Sequence, residues 1–306
     1  MAGTEENPII YPDLVMPENV ERQVITIWCQ GLALDADIYR PLELGADDKL
    51  PGLVLSHGMG GDKLTAERYA ALFASAGRIC ISFSQPSWGN SHGRLSIIGN
   101  TASLDENGEG LVKVKMARNL IDPLDWVDAF RAALDYLEGE PHVDPERIGA
   151  WGTSFGGGTA LSAAALDARI KTLAIQVPAV FNPPPEMKQI GSARAKQIAR
   201  GETPPIPHGA PDLMPGLPGT VNYVRMAQYT VGDLVDRVTV PTLILDAANE
   251  EMFDITQSGE RAYKNLKARS IDTYYEVLPD IDHYGIYFGG YERGSQLAQD
   301  WFEKYL

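Results

Sequence analysis

The chain has 306 residues, 44% of them hydrophobic and 22% charged, with a formal net charge of −15. Those proportions belong to an ordinary globular protein, long enough for one large α/β domain with an insertion or for two small domains. The charge argues against nucleic acid or an anionic membrane surface as partner, because both would repel it.

The first stretch, Met1 to Asn19, carries acids and prolines and no apolar core, so it does not read as an ordinary signal peptide. Residues 22–30 alternate and predict a strand; Gln30-Gly31 marks a turn, and residues 32–40 read as the hairpin partner. Leu50 to Ser56 is a buried-strand run ended by His57-Gly58-Met59-Gly60-Gly61. Thr65 to Ala76 has helical spacing, and Arg78 to Ser84 is the next apolar strand. A long loop then runs from Gln85 to about Leu120, with one short alternating piece, Leu111 to Met116. Asp122-Pro123 caps an amphipathic helix whose apolar face is Leu124, Val127, Phe130, Leu134 and Leu137. A strand from Arg147, a small-residue helix from Gly157 to Leu166 and a strand from Ile170 to Val177 follow.

Residues 178–238 differ in character, with ten prolines that include Pro211, Pro215 and Pro218. Two helix-like pieces, Glu186 to Arg200 and Val221 to Tyr229, carry apolar residues that need a surface to cover, which predicts an ordered cap. The strand pattern resumes at Pro241 to Ala247, followed by a helix from Ser258, a strand from Asp272 to Leu278 and a final helix from Tyr291. Strands alternating with helices imply a mainly parallel sheet covered on both faces, with the opening hairpin as an antiparallel edge. The expected organisation is a core of residues 1–177 and 239–306 and a cap of 178–238. Cys29 and Cys80 both lie in strand-like runs, which predicts buried free thiols. No run reaches the roughly 18 apolar residues of a spanning helix. A cytoplasmic protein without cofactor or metal is expected, acting on a small molecule, with homo-oligomerisation left open.

The chemistry centres on Gly152-Thr153-Ser154-Phe155-Gly156, which lies between a strand-like and a helix-like run. A G-x-S-x-G segment in that setting is a nucleophile elbow: the tight turn lifts the serine hydroxyl out at the top of the sheet. A serine needs a base, and histidine is the usual one. Of the five histidines, His283 stands just past the last strand, in a loop that ends at the active edge of the sheet; His57 precedes a glycine-rich turn and is no late-chain base, His92 lies in the long loop, His142 in a turn on the far side of the elbow strand, and His208 in the proline-rich segment. The orienting acid should follow the strand ending at Ala247, which selects Glu250, with Glu251 and Asp254 as competitors. Backbone N–H groups of Phe155 and Met59 would form an oxyanion hole, with the His57 side chain bracing the loop.

These pieces, together with Val143-Asp144-Pro145-Glu146-Arg147-Ile148-Gly149 before the elbow and Asp282-His283-Tyr284-Gly285, resemble the α/β-hydrolase superfamily. The stretch before the elbow is similar to the one in dienelactone-hydrolase-like and acetyl-xylan-esterase-like esterases and related prolyl-type serine peptidases. The resemblance extends from about residue 22 to the C-terminus, the cap excepted. It implies an α/β-hydrolase fold and a serine hydrolase working on an ester or lactone, or on an amide, thioester or acyl acceptor by the same residues. Two features depart from it. The acid is Glu and stands beside a second Glu, and the loop after Ser84 reads Gln85-Pro86-Ser87-Trp88-Gly89-Asn90-Ser91. Trp88 could line the pocket or pack. Lys188, Arg194, Lys196 and Arg200 of the cap could face solvent or an anionic substrate.

Overall fold

The computed structural model describes residues 10–99, 103–209 and 219–306; Pro211, Pro215, Pro218 and the first residues of the N-terminal stretch lie outside them. The alternating first run forms strand β1 (Val20–Cys29), turned at Gln30-Gly31 into β2 (Leu32–Pro41). β3 (Leu50–Ser56) leads through a 3-10 turn, Lys63–Ala66, into α1 (Glu67–Ser75) and β4 (Ile79–Phe83). The predicted Thr65–Ala76 helix thus begins as a 3-10 turn, because Asp62 and Thr65 close a capping box on its first amides. Within the long loop, β5 (Leu95–Ile97) pairs antiparallel with β6 (Val114–Met116), and β7 (Leu120–Ile121) precedes α2 (Pro123–Glu138). Of the alternating piece Leu111–Met116, only its second half is strand.

β8 (Val143–Thr153), α3 (Phe155–Leu166) and β9 (Ile170–Gln176) build the elbow. Between β9 and the next sheet strand the chain forms α4 (Pro185–Ala199), β10 (Thr220–Val221), α5 (Tyr223–Gln228) and α6 (Val231–Leu234). It returns as β11 (Thr242–Ala247), α7 (Gly259–Ala268), β12 (Thr273–Leu278) and α8 (Tyr291–Tyr305). The predicted Val221–Tyr229 helix loses its first residues to β10, which pairs parallel with β7.

The main sheet has eight strands in the order β1-β2-β4-β3-β8-β9-β11-β12. β1 and β2 are antiparallel, and from β4 onward every neighbour is parallel. One face packs on α1 and α8, where Phe73 meets Phe302 edge to face at 5.3 Å. The other packs on α2, α3 and α7 and also takes Tyr229, Val231 and Val235 from the segment before β11. Both faces are apolar, so the inner strands are near-continuous hydrophobic runs. Cys29 and Cys80 are buried free thiols.

α3 is buried along its length and starts against the end of β3. A Cβ on Gly156 would collide with the carbonyl oxygens of Ser56 and His57. Only glycine permits that approach, so Gly156→Ala should destabilise the fold by about 1–3 kcal/mol or more, read as a lower urea midpoint at unchanged slope. A midpoint equal to wild type would contradict this packing.

Asp246, on β11, is 2% exposed and accepts a hydrogen bond from the Tyr275 hydroxyl at 2.9 Å. Burial pushes its carboxyl up to about 7; Tyr275 opposes the shift and the charges of Glu250 and Glu260 add to it. An acid raised above its unfolded value contributes stability that is complete below about pH 4 and is lost as pH rises through about 7. Asp246→Asn should therefore gain melting temperature relative to wild type on going from acid to neutral pH. A difference that does not change with pH would refute the assignment.

Candidate active site

Ser154 sits between β8 and α3 with φ 54° and ψ −126°, a backbone conformation that costs of order 1–3 kcal/mol. The surroundings hold it there: its N–H donates to Gln176 O at 2.9 Å, and its carbonyl accepts from Gly157 and Ala179. The hydroxyl lies 3.0 Å from His283 Nε2. His283 Nδ1 lies 2.7 Å and 2.9 Å from the two Glu250 oxygens. His283 is 1% exposed and its partner carboxylate is equally enclosed.

The three acids after β11 separate by what they hold. Glu250 faces the imidazole and also accepts from the Met252 N–H at 2.9 Å. Glu251 accepts from the backbone N–H of His283 at 3.0 Å and so fastens the histidine loop. Asp254 caps the following 3-10 turn through Thr256. The sequence-predicted Ser154, His283 and Glu250 are thus brought into one hydrogen-bonded line, with Glu251 supporting it and Asp254 apart.

Phe155 is the first residue of α3, where leading amides have no intrahelical acceptor. Gly58 lies against Ser154: a Cβ there would stand 2.9 Å from the serine Cβ. That contact brings Met59 alongside the serine. His57 is buried, accepts from the Gln85 N–H at 3.0 Å through Nε2, and therefore donates to Gly58 O through Nδ1. Burial pushes the imidazole down to about 4, which keeps it neutral and suited to bracing. His142 bonds Asp48 O and His208 bonds Ser96, both away from the serine.

A cavity of about 190 Å³ opens over Ser154 and His283. Its lining comes from the loop after β3 (Met59), from the segment between β9 and β11 (Phe181, Pro183, Met187, Met226, Tyr229) and from the acid and histidine loops (Phe253, Tyr284). Among the described residues that line it there is no Lys, Arg, Asp or Glu. Lys188, Arg194, Lys196 and Arg200 do not reach it. Trp88 does not reach it either; it packs on Trp126 and donates from its indole to Leu120 O. The sequence reading missed Met226, Phe253 and Tyr284, although the last two adjoin the acidic pair and His283. It also missed Tyr11, which comes from a stretch without pattern. Among the described residues no group of His, Cys, Asp and Glu could hold a metal, and no helix is long and apolar enough to cross a membrane.

Two family models match the chain, each over about half of it: acetyl xylan esterase (AXE1) over residues 29–184, and BAAT / acyl-CoA thioester hydrolase C terminal over residues 126–284. The quorum-quenching protein AidA of Acinetobacter baumannii (strain MDR-ZJ06) is 28% identical over 245 residues, covering 68% of this chain and 72% of that protein. Among solved structures, the hypothetical protein PA2218 of Pseudomonas aeruginosa superposes with a TM-score of 0.64 at 19% identity, covering 96% of both chains. DcsB, solved with its substrate analogue, gives 0.67 at 18% identity, covering 93% of this chain and 99% of that one. These two structures bear on the fold alone. With the eight-stranded sheet and the family matches together, the chain belongs to the α/β-hydrolase superfamily and is an esterase-type enzyme of it, in the group spanning esterases, thioesterases and acyltransferases.

Proposed function

We propose that the enzyme hydrolyses a carboxylic ester or lactone through an acyl-enzyme on Ser154. His283 takes the Ser154 proton as Oγ attacks the carbonyl carbon, and Glu250 keeps the imidazole in the tautomer that accepts at Nε2. The amides of Phe155 and Met59 hold the oxyanion. The tetrahedral intermediate expels the alcohol, which receives the proton from His283. Water, deprotonated by the same imidazole, then releases the acid. The observation that carries this reading is the unbroken hydrogen-bond chain from Ser154 Oγ through His283 to Glu250 at a strained elbow.

A thioesterase or acyltransferase reading uses the same three residues and has support from the BAAT / acyl-CoA thioester hydrolase match. The cavity favours the ester. A phosphate-bearing carrier calls for cations, and no Lys or Arg is among the described residues that line this one. The segment from residue 178 to 238 acts in this reading as a cap. It supplies Met187 and Met226, and thioether side chains adapt to an alkyl group.

Ser154→Ala should abolish turnover, and an organophosphonate should label wild type at Ser154 alone; an active Ser154→Ala protein would end this proposal. Glu250→Gln should lower kcat by roughly a thousand- to ten-thousand-fold through the wrong imidazole tautomer. Glu251→Gln, which touches only a backbone N–H, should cost about tenfold or less. The reverse ranking would move the acid to Glu251. With p-nitrophenyl esters, each methylene added from acetate should raise kcat/KM by roughly fourfold, for about 0.8 kcal/mol per buried CH2, until the cavity is filled. A flat profile would remove the acyl group from this cavity.

A further inference from the structure

Tyr11 stands outside the hydrolase sheet, yet its side chain lines the cavity over Ser154. It lies in an irregular segment ahead of β1, and Leu14 and Met16 of that segment pack on the core face shared by α1 and α8. The Tyr11 ring meets Tyr287 edge to face with centroids 5.1 Å apart. Its hydroxyl lies beside the Thr65 side chain. Thr65 in turn belongs to the capping box that closes the loop running on from Gly58 and Met59. Tyr11 therefore bridges the loop after β3 and the loop after β12, the two loops that flank the serine.

The cavity has two chemically unlike walls. Phe181, Pro183, Met187 and Met226 offer hydrocarbon and thioether surface only. Tyr11, Tyr284 and Tyr287 offer rings that carry hydroxyls; Tyr229 also lines the cavity, with its hydroxyl engaged by Ser162 of α3. His283 touches both, meeting Phe253 at 5.3 Å and Tyr284 at 5.2 Å. Phe253 packs on Phe181 at 5.5 Å and so belongs to the hydrocarbon wall. The leaving alcohol must stand beside His283 Nε2 to receive its proton. An alkyl acyl group suits the hydrocarbon wall, which leaves the tyrosine wall for the alcohol.

Resting on the Ser154 hydrolase reading, we propose that Tyr11 is a specificity-determining residue that, with Tyr284, forms the subsite for an uncharged aryl or cyclic leaving alcohol. Aromatic rings meeting edge to face gain attraction beyond the area they bury. The reaction sequence makes this subsite separable from the acyl site. In acylation the Ser154 Oγ–C bond forms, the C–O bond to the alcohol breaks, and the proton passes from Ser154 through His283 to the departing oxygen. In deacylation the alcohol has gone, so its subsite no longer bears on the rate.

The test is burst kinetics on full-length protein with esters of one acid and three alcohols: methanol, phenol and 2-naphthol. Tyr11→Ala should slow acylation by the naphthyl ester roughly tenfold more than by the methyl ester, and leave the common deacylation rate unchanged. Tyr11→Phe should keep the aryl preference. Tyr11→Leu, which preserves bulk, should lose it, and it carries the test if the alanine variant does not fold. Equal loss across the three alcohols, slowed deacylation, or an aryl preference surviving in Tyr11→Leu would overturn the proposal. Turnover surviving in Ser154→Ala would instead sink the underlying hydrolase reading, whatever Tyr11 does.

Discussion

The start of α3 rests directly on the end of β3, backbone against backbone, and the arrangement of the site follows from that contact. A single methyl group on Gly156 would push the helix away from Ser56 and His57. With the helix that close, the chain between β8 and α3 has no room for a relaxed turn, and Ser154 is driven to positive φ. The same contact sets Gly58 against the serine Cβ and so brings the loop after β3 beside the nucleophile. One steric requirement thus positions the hydroxyl and the proposed oxyanion loop together. The strain is held by the hydrogen bond that the Ser154 N–H donates to Gln176 O and by those its carbonyl accepts from Gly157 and Ala179, rather than by the serine's own preference.

Electrostatics are arranged in the opposite sense to the whole molecule. The chain carries a net charge of −15, yet no Lys, Arg, Asp or Glu is among the described residues that line the cavity over Ser154. The acidic groups near it are already engaged: Glu250 with the His283 ring, Glu251 with the His283 N–H, Asp254 with its own turn. A neutral cavity next to a buried histidine–carboxylate pair strengthens that pair by excluding water. Among the described residues it offers no Lys or Arg to hold a phosphate or carboxylate of a substrate.

Much of this was legible in the sequence because the requirements are local. The elbow needs small residues at set spacing, the acid and base follow strands with clear apolar runs, and the eight strands of the main sheet and the long helices lie within a few residues of where the sequence pattern puts them, whereas the short strands β5, β7 and β10 left no such pattern. Three things were not legible. Trp88 looked as suited to the pocket as to the core, and only the packing of Trp126 across from it decides for the core. Position after the strand selects Glu250, but what separates it from Glu251 and Asp254 is which carboxylate the loop turns toward His283, a matter of backbone path and not of composition. Tyr11 reaches the cavity from a segment with no periodicity, where a sequence offers neither face nor register.

The segment between β9 and β11 is moored unevenly. Its α5 end is tied to α2: Arg225 pairs with Asp122 and Asp125, and Asn222 donates to Asp122. Both aspartates are buried, and Asp125 is gripped a second time by Arg94. By contrast α4 buries only Gly191, which abuts Ala227 and Tyr223 of α5. That helix is therefore a passenger on α5 and contributes almost nothing to the hydrophobic core. Mutations along it can reshape the mouth of the cavity while the folded state scarcely registers them. The range of accepted substrates can thus drift in such a lineage without the enzyme first having to become more stable.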